Sequence, residues 1–466
     1  MIHSETNGFG NLSIADVPVP TEEYAERLSE QRVIGRALPK AQPTPIPIPV
    51  PIPISQGARV MIWKQDPTVA EVGIRKAFLP KRVFAGPKDA RIVTQGLPVV
   101  TPNIFGDLII DPIGNPEAFD AVHTFAVVRM VLTMYERLET PVTVPWQWNS
   151  GGNTDPLSVF PHAGVTQNAF YTRAGKALKF FFFDSGSPPQ TIFTCRSLDI
   201  VAHETGHAVL DGLKPGWLGS SNTPQTGALH EAFGDLTSIF LALSQFDQVE
   251  AIVAQTKANL HATNFLAALA EQFGSALGSA NGLRNADNDL KLSQVGSEVH
   301  SLSRVFTGGV YDVLADIFLF ERKPAVEDDA STLYRVGRYV YSLVFRALAQ
   351  SPNTNAGFAD VVNKMLAIVT SDGKPVQYKQ SIVNRFAFRE VITPVALKGL
   401  SKTEHSDLEA AVQDEEGAVQ DRSRCCGTMQ LEEYLEDERG LEEELKELAD
   451  VFSGTTPKRK KEKVQA

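Results

Sequence analysis

Residues 198–212 read LDIVAHETGHAVLDG, and the rest of the chain is best understood outward from them. Apolar side chains fill most of this stretch and Gly212 closes it, which predicts a helix. His203 and His207 stand four positions apart, so they project from nearly the same face of that helix. Both imidazoles can bind one zinc ion, and Glu204 then lies where it can take a proton from a zinc-bound water. A buried helix that carries two histidines by chance fits the same pattern. The choice between a zinc site and a chance pattern therefore depends on residues elsewhere in the chain.

A second helix is predicted at about residues 227–243, and it carries Glu231 and Asp235 on one face. A catalytic zinc takes three protein ligands and keeps one position for water, so Glu231 is the expected third ligand. Asp235 is expected to hydrogen-bond a ligating histidine and fix its tautomer. Acidic residues on a helix usually face solvent, but these two stand among apolar neighbours and therefore need partners.

Length and composition are those of a large globular protein. Of the 466 residues, 43% are hydrophobic, and no run approaches the ~20 continuous apolar residues that span a membrane. Residues 1–20 lack the basic start and apolar middle of a secretory signal. The three cysteines, Cys195, Cys425 and Cys426, do not support a disulfide framework. We therefore expect a cytoplasmic protein that does not bind membranes, with export by a signal-free route left open.

The net charge of −11 belongs mostly to the C-terminal region. Residues 401–450 hold 17 acidic and 5 basic side chains, whereas residues 1–400 carry a net charge of only −3. The body is thus nearly neutral, and nothing indicates a nucleic-acid partner. Residues 401–466 are predicted to be an acidic, disordered tail, with docking to a partner as the alternative.

Residues 1–57 are predicted to be an N-terminal extension. Within it, residues 42–54 read QPTPIPIPVPIPI, and proline at every second position forbids both a helix and a paired central strand. The segment is expected to be an extended, stiff spacer. A plain linker is the favoured interpretation, and an inhibitory prosegment at residues 1–37 is the alternative.

Between these two ends, the chain divides into a mixed α/β lobe at residues 58–213 and a helical lobe at residues 214–400. Strands are predicted at 59–63, 91–94 and 178–183, and a helix at about 116–138. Further helices are predicted at 248–275, 297–321, 330–350, 356–370 and 378–390.

Five segments of the chain resemble, in the same order, segments of the thermolysin-like metallopeptidases, the gluzincins. Residues 199–211 resemble that family's zinc helix, and residues 226–235, TGALHEAFGD, resemble the helix with its third ligand. Residues 168–171, NAFY, are similar to its substrate-binding edge strand. Residues 283–285, LRN, resemble its substrate-binding arginine stretch, and residues 298–300, EVH, the segment with its transition-state histidine.

This resemblance covers residues 115–320 in patches and implies an α+β, thermolysin-like fold of two lobes. A mixed, β-rich N-terminal lobe and a mainly helical C-terminal lobe would enclose a zinc cleft. The resemblance implies that Zn²⁺ is bound by His203, His207 and Glu231, that Glu204 is the general base and that His300 stabilises the transition state. It implies that the ligands are supported by Asp235 and Asp211. Substrate would be bound by Asn168, Ala169 and Arg284, and an apolar pocket beyond the scissile bond would be lined by Ile200 and Leu283.

The implied activity is that of a monomeric zinc metalloendopeptidase acting on peptide or protein substrates. The sequence departs from the family pattern at several positions. His230 stands where the family has asparagine, Glu298 is the available support for His300, and Trp217 is the nearest counterpart of a missing tyrosine. Only Asp199 matches the calcium-binding carboxylates, so binding of Ca²⁺ stays open. Two alternatives also stay open: an exopeptidase, and a catalytically degenerate metal-binding or protein-interaction protein on the same fold.

Overall fold

The computed structural model describes residues 57–138, 144–219, 221–277, 279 and 282–393. The spacer at residues 42–54 and the acidic tail at residues 401–466 lie outside the described residues. The predictions of a prosegment, a linker and a disordered tail therefore stay predictions.

Most strands precede the helix of the two histidines, and helices dominate after it. The strands are β1 (Ala58–Trp63), β2 (Ile74–Leu79), β3 (Ile92–Thr94), β4 (Leu157–Phe160), β5 (Ala169–Thr172), β6 (Ala177–Phe180), β7 (Phe182–Ser185), β8 (Gln190–Phe193), β9 (Ala268–Leu269) and β10 (Arg284–Asn285). The helices are α1 (Pro116–Glu136), α2 (Leu198–Leu213), α3 (Pro224–Leu243), α4 (Phe246–Thr256), α5 (Glu271–Ala276), α6 (Val299–Glu321), α7 (Asp329–Gln350), α8 (Phe358–Ser371) and α9 (Val376–Phe388). The described residues thus form a mixed α+β fold with a helical C-terminal half, and the two-lobed arrangement stays a prediction.

The strands form small sheets. The largest has the order β3-β4-β6-β5, so β5 lies at its edge. The other three are antiparallel pairs, β1 with β2, β7 with β8, and β9 with β10. The prediction of a single strand at residues 178–183 is wrong. The strand is interrupted at Phe181, whose N–H donates to Thr194 Oγ1 at 2.9 Å. The two halves, β6 and β7, belong to different sheets.

The prediction of one helix at residues 248–275 is also wrong, because the helix does not continue beyond its second turn. α4 ends at Thr256, and Lys257 and Ala258 follow with φ angles of 51° and 61°. Non-glycine residues with left-handed φ cannot continue a right-handed helix. The chain then forms a loop, β9 and the short α5, although its alanine-rich composition favours a longer helix.

Helices α2 and α3 lie in the interior. The side chain of Ser197 caps α2 by accepting the N–H of Ile200 at 3.5 Å. Nearly every residue of α2 and of α3 is buried, polar ones included. A helix buried all round belongs to the core. The polar side chains of these two helices must therefore find partners inside the protein.

Two glycines let α2 and α3 approach closely. A Cβ atom at Gly206 would lie 2.7 Å from Thr237 Oγ1, and a Cβ atom at Gly234 would lie 2.6 Å from Cε1 of His203. Both distances are shorter than real Cβ contacts, so neither position accepts a larger residue without a shift. The imidazole of His203 thus lies directly against the backbone of α3.

The described core is one large apolar cluster that joins sheets and helices. A second, small cluster consists of Phe183, Ile192, Ala270 and Phe273. No single described helix is long and apolar enough to cross a membrane, whereas α3 and α4, bent by 94° at their junction, pass that test together on length and composition only.

Candidate metal centre

Three histidines converge on one buried carboxylate. Glu231, on α3, has its Oε2 atom 3.4 Å from His203 Nε2 and 3.5 Å from His300 Nε2. Its Oε1 atom lies 3.5 Å from His207 Nε2. His203 and His207 project from α2, and His300 from the first turn of α6. The structure thus gathers the three expected ligands and the expected transition-state histidine.

These donor atoms fit a metal ion. Nitrogen and oxygen ligands about 2.0–2.1 Å from a tetrahedral zinc are about 3.3–3.4 Å from one another. His203, Glu204 and His207 place one potential ligand atom each within 4.8 Å of one another. His207 Nε2 and both carboxylate oxygens of Glu231 are buried without a hydrogen-bond partner among the described residues. Buried polar atoms of this kind are costly unless another group binds them.

Burial and charge keep these groups in metal-binding states. Burial lowers the pKa of His207 well below its ordinary value, so its ring is neutral and offers a lone pair. Burial by itself raises the pKa of Glu231, but the electrostatic influence of His300 and the hydrogen bond and charge of His203 outweigh it and hold that pKa well below the ordinary value. A neutral imidazole and an anionic carboxylate are the forms that coordinate a cation.

Asp235 orients the first histidine. Its Oδ1 atom lies 3.0 Å from His203 Nδ1. A carboxylate accepts the Nδ1–H of the ring, which leaves the lone pair on Nε2, the atom that faces Glu231. Arg284, which the resemblance assigns to a substrate carbonyl, donates its Nε–H to the same Asp235 oxygen at 3.0 Å. Its guanidinium is thus held beside the expected metal ligands.

The second histidine has a partner that the sequence analysis did not assign. His207 Nδ1 lies 2.7 Å from Nδ1 of His230, and both side chains are fully buried. Asp211, which the resemblance places among the supports of the ligands, instead accepts hydrogen bonds from Tyr171 Oη at 2.7 Å and from the guanidinium of Arg173. It lies one turn beyond His207, on the side of α2 that meets β5, so it anchors that strand.

Glu204 contacts the edge strand. The main-chain N–H of Tyr171 donates to Glu204 Oε2 at 3.0 Å. The side chain of the same tyrosine holds Asp211, so one residue of β5 is tied to two positions of α2. Glu204 is only 1% exposed. Its carboxylate is therefore fixed between the expected metal ligands and the strand.

Glu298 supports His300. Its Oε1 atom lies 2.6 Å from His300 Nδ1, and the carboxylate also accepts the N–H groups of His300 and Ser301, which caps α6. Burial raises the pKa of Glu298, but these hydrogen bonds outweigh it and lower the pKa to about 2. The anionic Glu298 thus orients Nε2 of His300 toward Glu231.

Asn168 and Ala169 lie where the edge strand β5 borders the site. Ala169 begins the edge strand β5, and its N–H donates to Asn168 Oδ1 at 2.8 Å. Both line a small cavity together with His203 and Glu204. Trp217 is fully buried, and its Nε1–H donates to the carbonyl of Pro352 at 2.9 Å.

Two other groups of potential ligands occur among the described residues: Asp120 with His162 and Cys195, and His261 with Asp287 and Asp312. Arg196 already binds the Asp120 carboxylate, and Arg389 binds that of Asp312. A cation would compete with an arginine at both places. The cluster around Glu231 is therefore the better metal site.

Comparison with known proteins gives little beyond this geometry. No family model matches the chain, and no curated protein matches it. Among solved structures, the chain is similar to the precursor of protealysin, a metalloproteinase from Serratia proteamaculans. The TM-score is 0.39 and the sequence identity 14%, over 57% of this chain and 77% of that chain. Any functional conclusion therefore rests on the residues of the site.

Proposed function

We propose that this chain is a zinc-dependent endopeptidase. His203, His207 and Glu231 hold the metal ion, and Glu204 is the general base. The observation that carries the proposal is the approach of the two α2 histidines to Glu231 at 3.4 and 3.5 Å, where His207 Nε2 and both oxygens of Glu231 are buried without a hydrogen-bond partner among the described residues. Two imidazoles and one carboxylate are a ligand set typical of catalytic zinc.

Zinc, when bound, lowers the pKa of a water molecule and polarises the scissile carbonyl. The protein supplies the proton transfers. Tyr171 N–H holds Glu204 at Oε2, so the water proton is taken at Oε1. Glu204 then passes this proton to the nitrogen of the leaving amine. A positioned carboxylate of this kind contributes about 10²–10⁴-fold in rate.

His300 stabilises the oxyanion. Glu298 accepts its Nδ1–H and favours the doubly protonated ring, whose Nε2–H then donates to the negative oxygen. The peptide lies along β5 in an extended conformation and donates to main-chain carbonyl groups near Ala169, since the N–H groups of Ala169 and Tyr171 already donate to Asn168 and Glu204. Asn168 and Arg284 align its carbonyl groups.

Zinc content and casein cleavage test this proposal with Glu204→Gln, and Glu250→Gln, an exposed carboxyl on α4, is the control. We expect about one zinc per chain in all three proteins, as one closed ligand set implies. The wild type and the control should cleave casein, and the rate of cleavage should be lower by about 10²-fold or more in Glu204→Gln.

Three outcomes contradict the proposal. Absence of zinc would rule out the metal site. Equal cleavage by the wild type and Glu204→Gln would rule out the general base. Zinc without any cleavage by the wild type would favour a catalytically degenerate metal-binding protein.

A further inference from the structure

Two neighbouring segments of the chain, residues 78–86 and 99–109, expose large apolar side chains. Ile104 is 94% exposed and Val99 is 73% exposed. A single exposed apolar residue is ordinary, but a contiguous set of them marks a surface that another group covers. We call this set the apolar face, and it consists of Phe78, Phe84, Val99, Ile104, Phe105 and Ile109. None of these residues belongs to the candidate metal centre.

Contacts at both ends hold the two segments side by side. At one end, Gly86 and Val100 exchange main-chain hydrogen bonds of 2.9 and 3.2 Å. At the other end, both segments touch Gly57. A Cβ atom on Gly57 would overlap the ring of Phe78, and a Cβ atom on Gly106 would lie 3.7 Å from the carbonyl oxygen of Gly57. The exposed side chains of the two segments are therefore neighbours on one surface.

Positive charge borders the apolar face. Residues 74–88 hold five basic side chains and no acidic one. Lys81 binds a glutamate of α1 at 2.8 Å, whereas Arg75, Lys76, Arg82 and Lys88 are exposed and form no ion pair with a described carboxylate. Each of these four lies within four residues of a phenylalanine of the apolar face. An occupant that suits this surface is therefore both apolar and negatively charged.

The chain itself contains a segment with both properties. Residues 431–450, which lie outside the described residues, read LEEYLEDERGLEEELKELAD, with 10 acidic and 2 basic side chains. Their five leucines, at positions 431, 435, 441, 445 and 448, recur mostly at intervals of three or four residues, which is typical of one face of a helix. The described chain ends at Thr393, and the 37 residues between span up to about 120 Å when extended. That is several times the radius of gyration of about 20 Å expected for a body of this length, so the segment can reach the apolar face.

We propose that residues 431–450 dock on the apolar face of their own chain, with their leucines on its exposed apolar side chains and their carboxylates beside its four unpaired basic groups. An amphipathic segment that lays its apolar side on an apolar surface is a common mode of peptide recognition, and the covalent connection raises its effective concentration. Residues 38–56, which lead directly into β1, are apolar too, but they hold no acidic side chain. They would leave the positive border without partners, so the acidic segment is the better occupant.

Carbodiimide cross-linking of the full chain, read by mass spectrometry, identifies the occupant, because the reagent joins a lysine amine only to a carboxylate in contact with it. We expect Lys76 and Lys88 to be linked to glutamates of residues 431–450. Absence of such links would overturn the proposal, and links to carboxylates of residues 1–37 in their place would assign the apolar face to the N-terminal extension. Links between ¹⁴N-labelled and ¹⁵N-labelled chains in a mixed sample would overturn it in favour of a second copy.

Serine substitutions test the apolar contact without changing any charge. Leu441→Ser combined with Leu445→Ser should lower the yield of these links by at least about 10-fold, because two buried leucines are lost. Leu408→Ser, in the same acidic region but outside the segment, is the control and should leave the yield unchanged. On the body, Ile104→Ser should lower the yield, and Val326→Ser, at a similarly exposed residue before α7, should not. An equal yield in the wild type and the double variant would mean that charge alone brings the segment to the lysines, and it would overturn docking through the leucines.

Discussion

Nδ1 of His207 lies 2.7 Å from Nδ1 of His230, in the interior between α2 and α3. Two nitrogens at this distance share one hydrogen, so one ring donates and the other accepts. If His207 binds the metal through Nε2, its proton resides on Nδ1, and His230 is the acceptor. His230 would then fix the tautomer in which His207 offers Nε2 to the metal.

Replacing His230 should weaken zinc binding. His230→Leu removes the acceptor for His207 Nδ1–H, and loss of such an outer partner typically lowers metal affinity by about 10–100-fold. His230→Asn keeps an acceptor oxygen and should retain most of the affinity. Competition with a chromogenic chelator measures the change, and His123→Leu, at an equally buried histidine outside every group of potential ligands among the described residues, is the control. Equal affinity of wild type and His230→Leu would show that this contact does not orient the ligand.

Glu298→Gln should slow cleavage without releasing zinc. The amide keeps only one of the two oxygens that accept N–H groups at the start of α6, and it cannot stabilise a positively charged His300. We expect kcat to fall by about 10–100-fold, with KM and zinc content nearly unchanged. Asp328→Asn is the matched control, because Asp328 caps α7 by accepting the N–H of Ser331 and has no part in the cleft. An equal fall in kcat for both variants would point to helix capping alone.

The spacing of the candidate metal ligands could be predicted because it depends on one helix at a time. His203 and His207, and likewise Glu231 and Asp235, are four residues apart, and the period of an α-helix alone puts each pair on one face. The mixed α+β order of the elements followed from the hydrophobic pattern in the same way. The alanine-rich composition of residues 248–275 favours one long helix, whereas the left-handed residues that end α4, such as Lys257, give no compositional signal.

The supports of the site could not be predicted, because they join distant parts of the chain. Tyr171 donates hydrogen bonds to Glu204, which lies 33 positions later, and to Asp211, which lies 40 positions later. Ala270 reaches Asp199 across 71 positions. Such contacts depend on which elements pack together, and local periodicity carries no information on that. The one local signal available was the polar character of Asp211 within a largely apolar helix, since a buried carboxylate needs a partner.

Gly234→Ala should damage the metal site through His203. The added Cβ would lie 2.6–2.9 Å from three atoms of that imidazole, so the ring must move. Overpacking of this kind costs about 1–3 kcal/mol of stability, and a displaced ring loses its position beside Glu231. We expect a lower Tm and a lower zinc affinity. Gly151→Ala is the control, because a Cβ there meets nothing within 4 Å. An unchanged zinc affinity in Gly234→Ala would show that α2 and α3 can separate freely.

Glu271 should make stability depend on pH. It lies in the first turn of α5, and burial, with the charges of Asp66 and Glu71, raises its pKa from 4.5 to about 7. A carboxyl whose pKa is raised on folding binds its proton more tightly in the folded chain than in the unfolded chain. Its contribution to stability is therefore complete below about pH 4.5 and is lost as the pH rises through about 7.

Glu271→Gln tests this sign, because glutamine resembles the protonated carboxyl at every pH. The variant should melt at the same temperature as the wild type near pH 4.5 and at a higher temperature at pH 8. Glu271 is partly exposed, so solvent screening makes the gain modest. Scanning calorimetry at both pH values measures the two differences, and Glu250→Gln should show none at either pH. A variant that is less stable than the wild type at pH 8 would contradict the raised pKa, because it would mean that the folded protein favours the Glu271 anion.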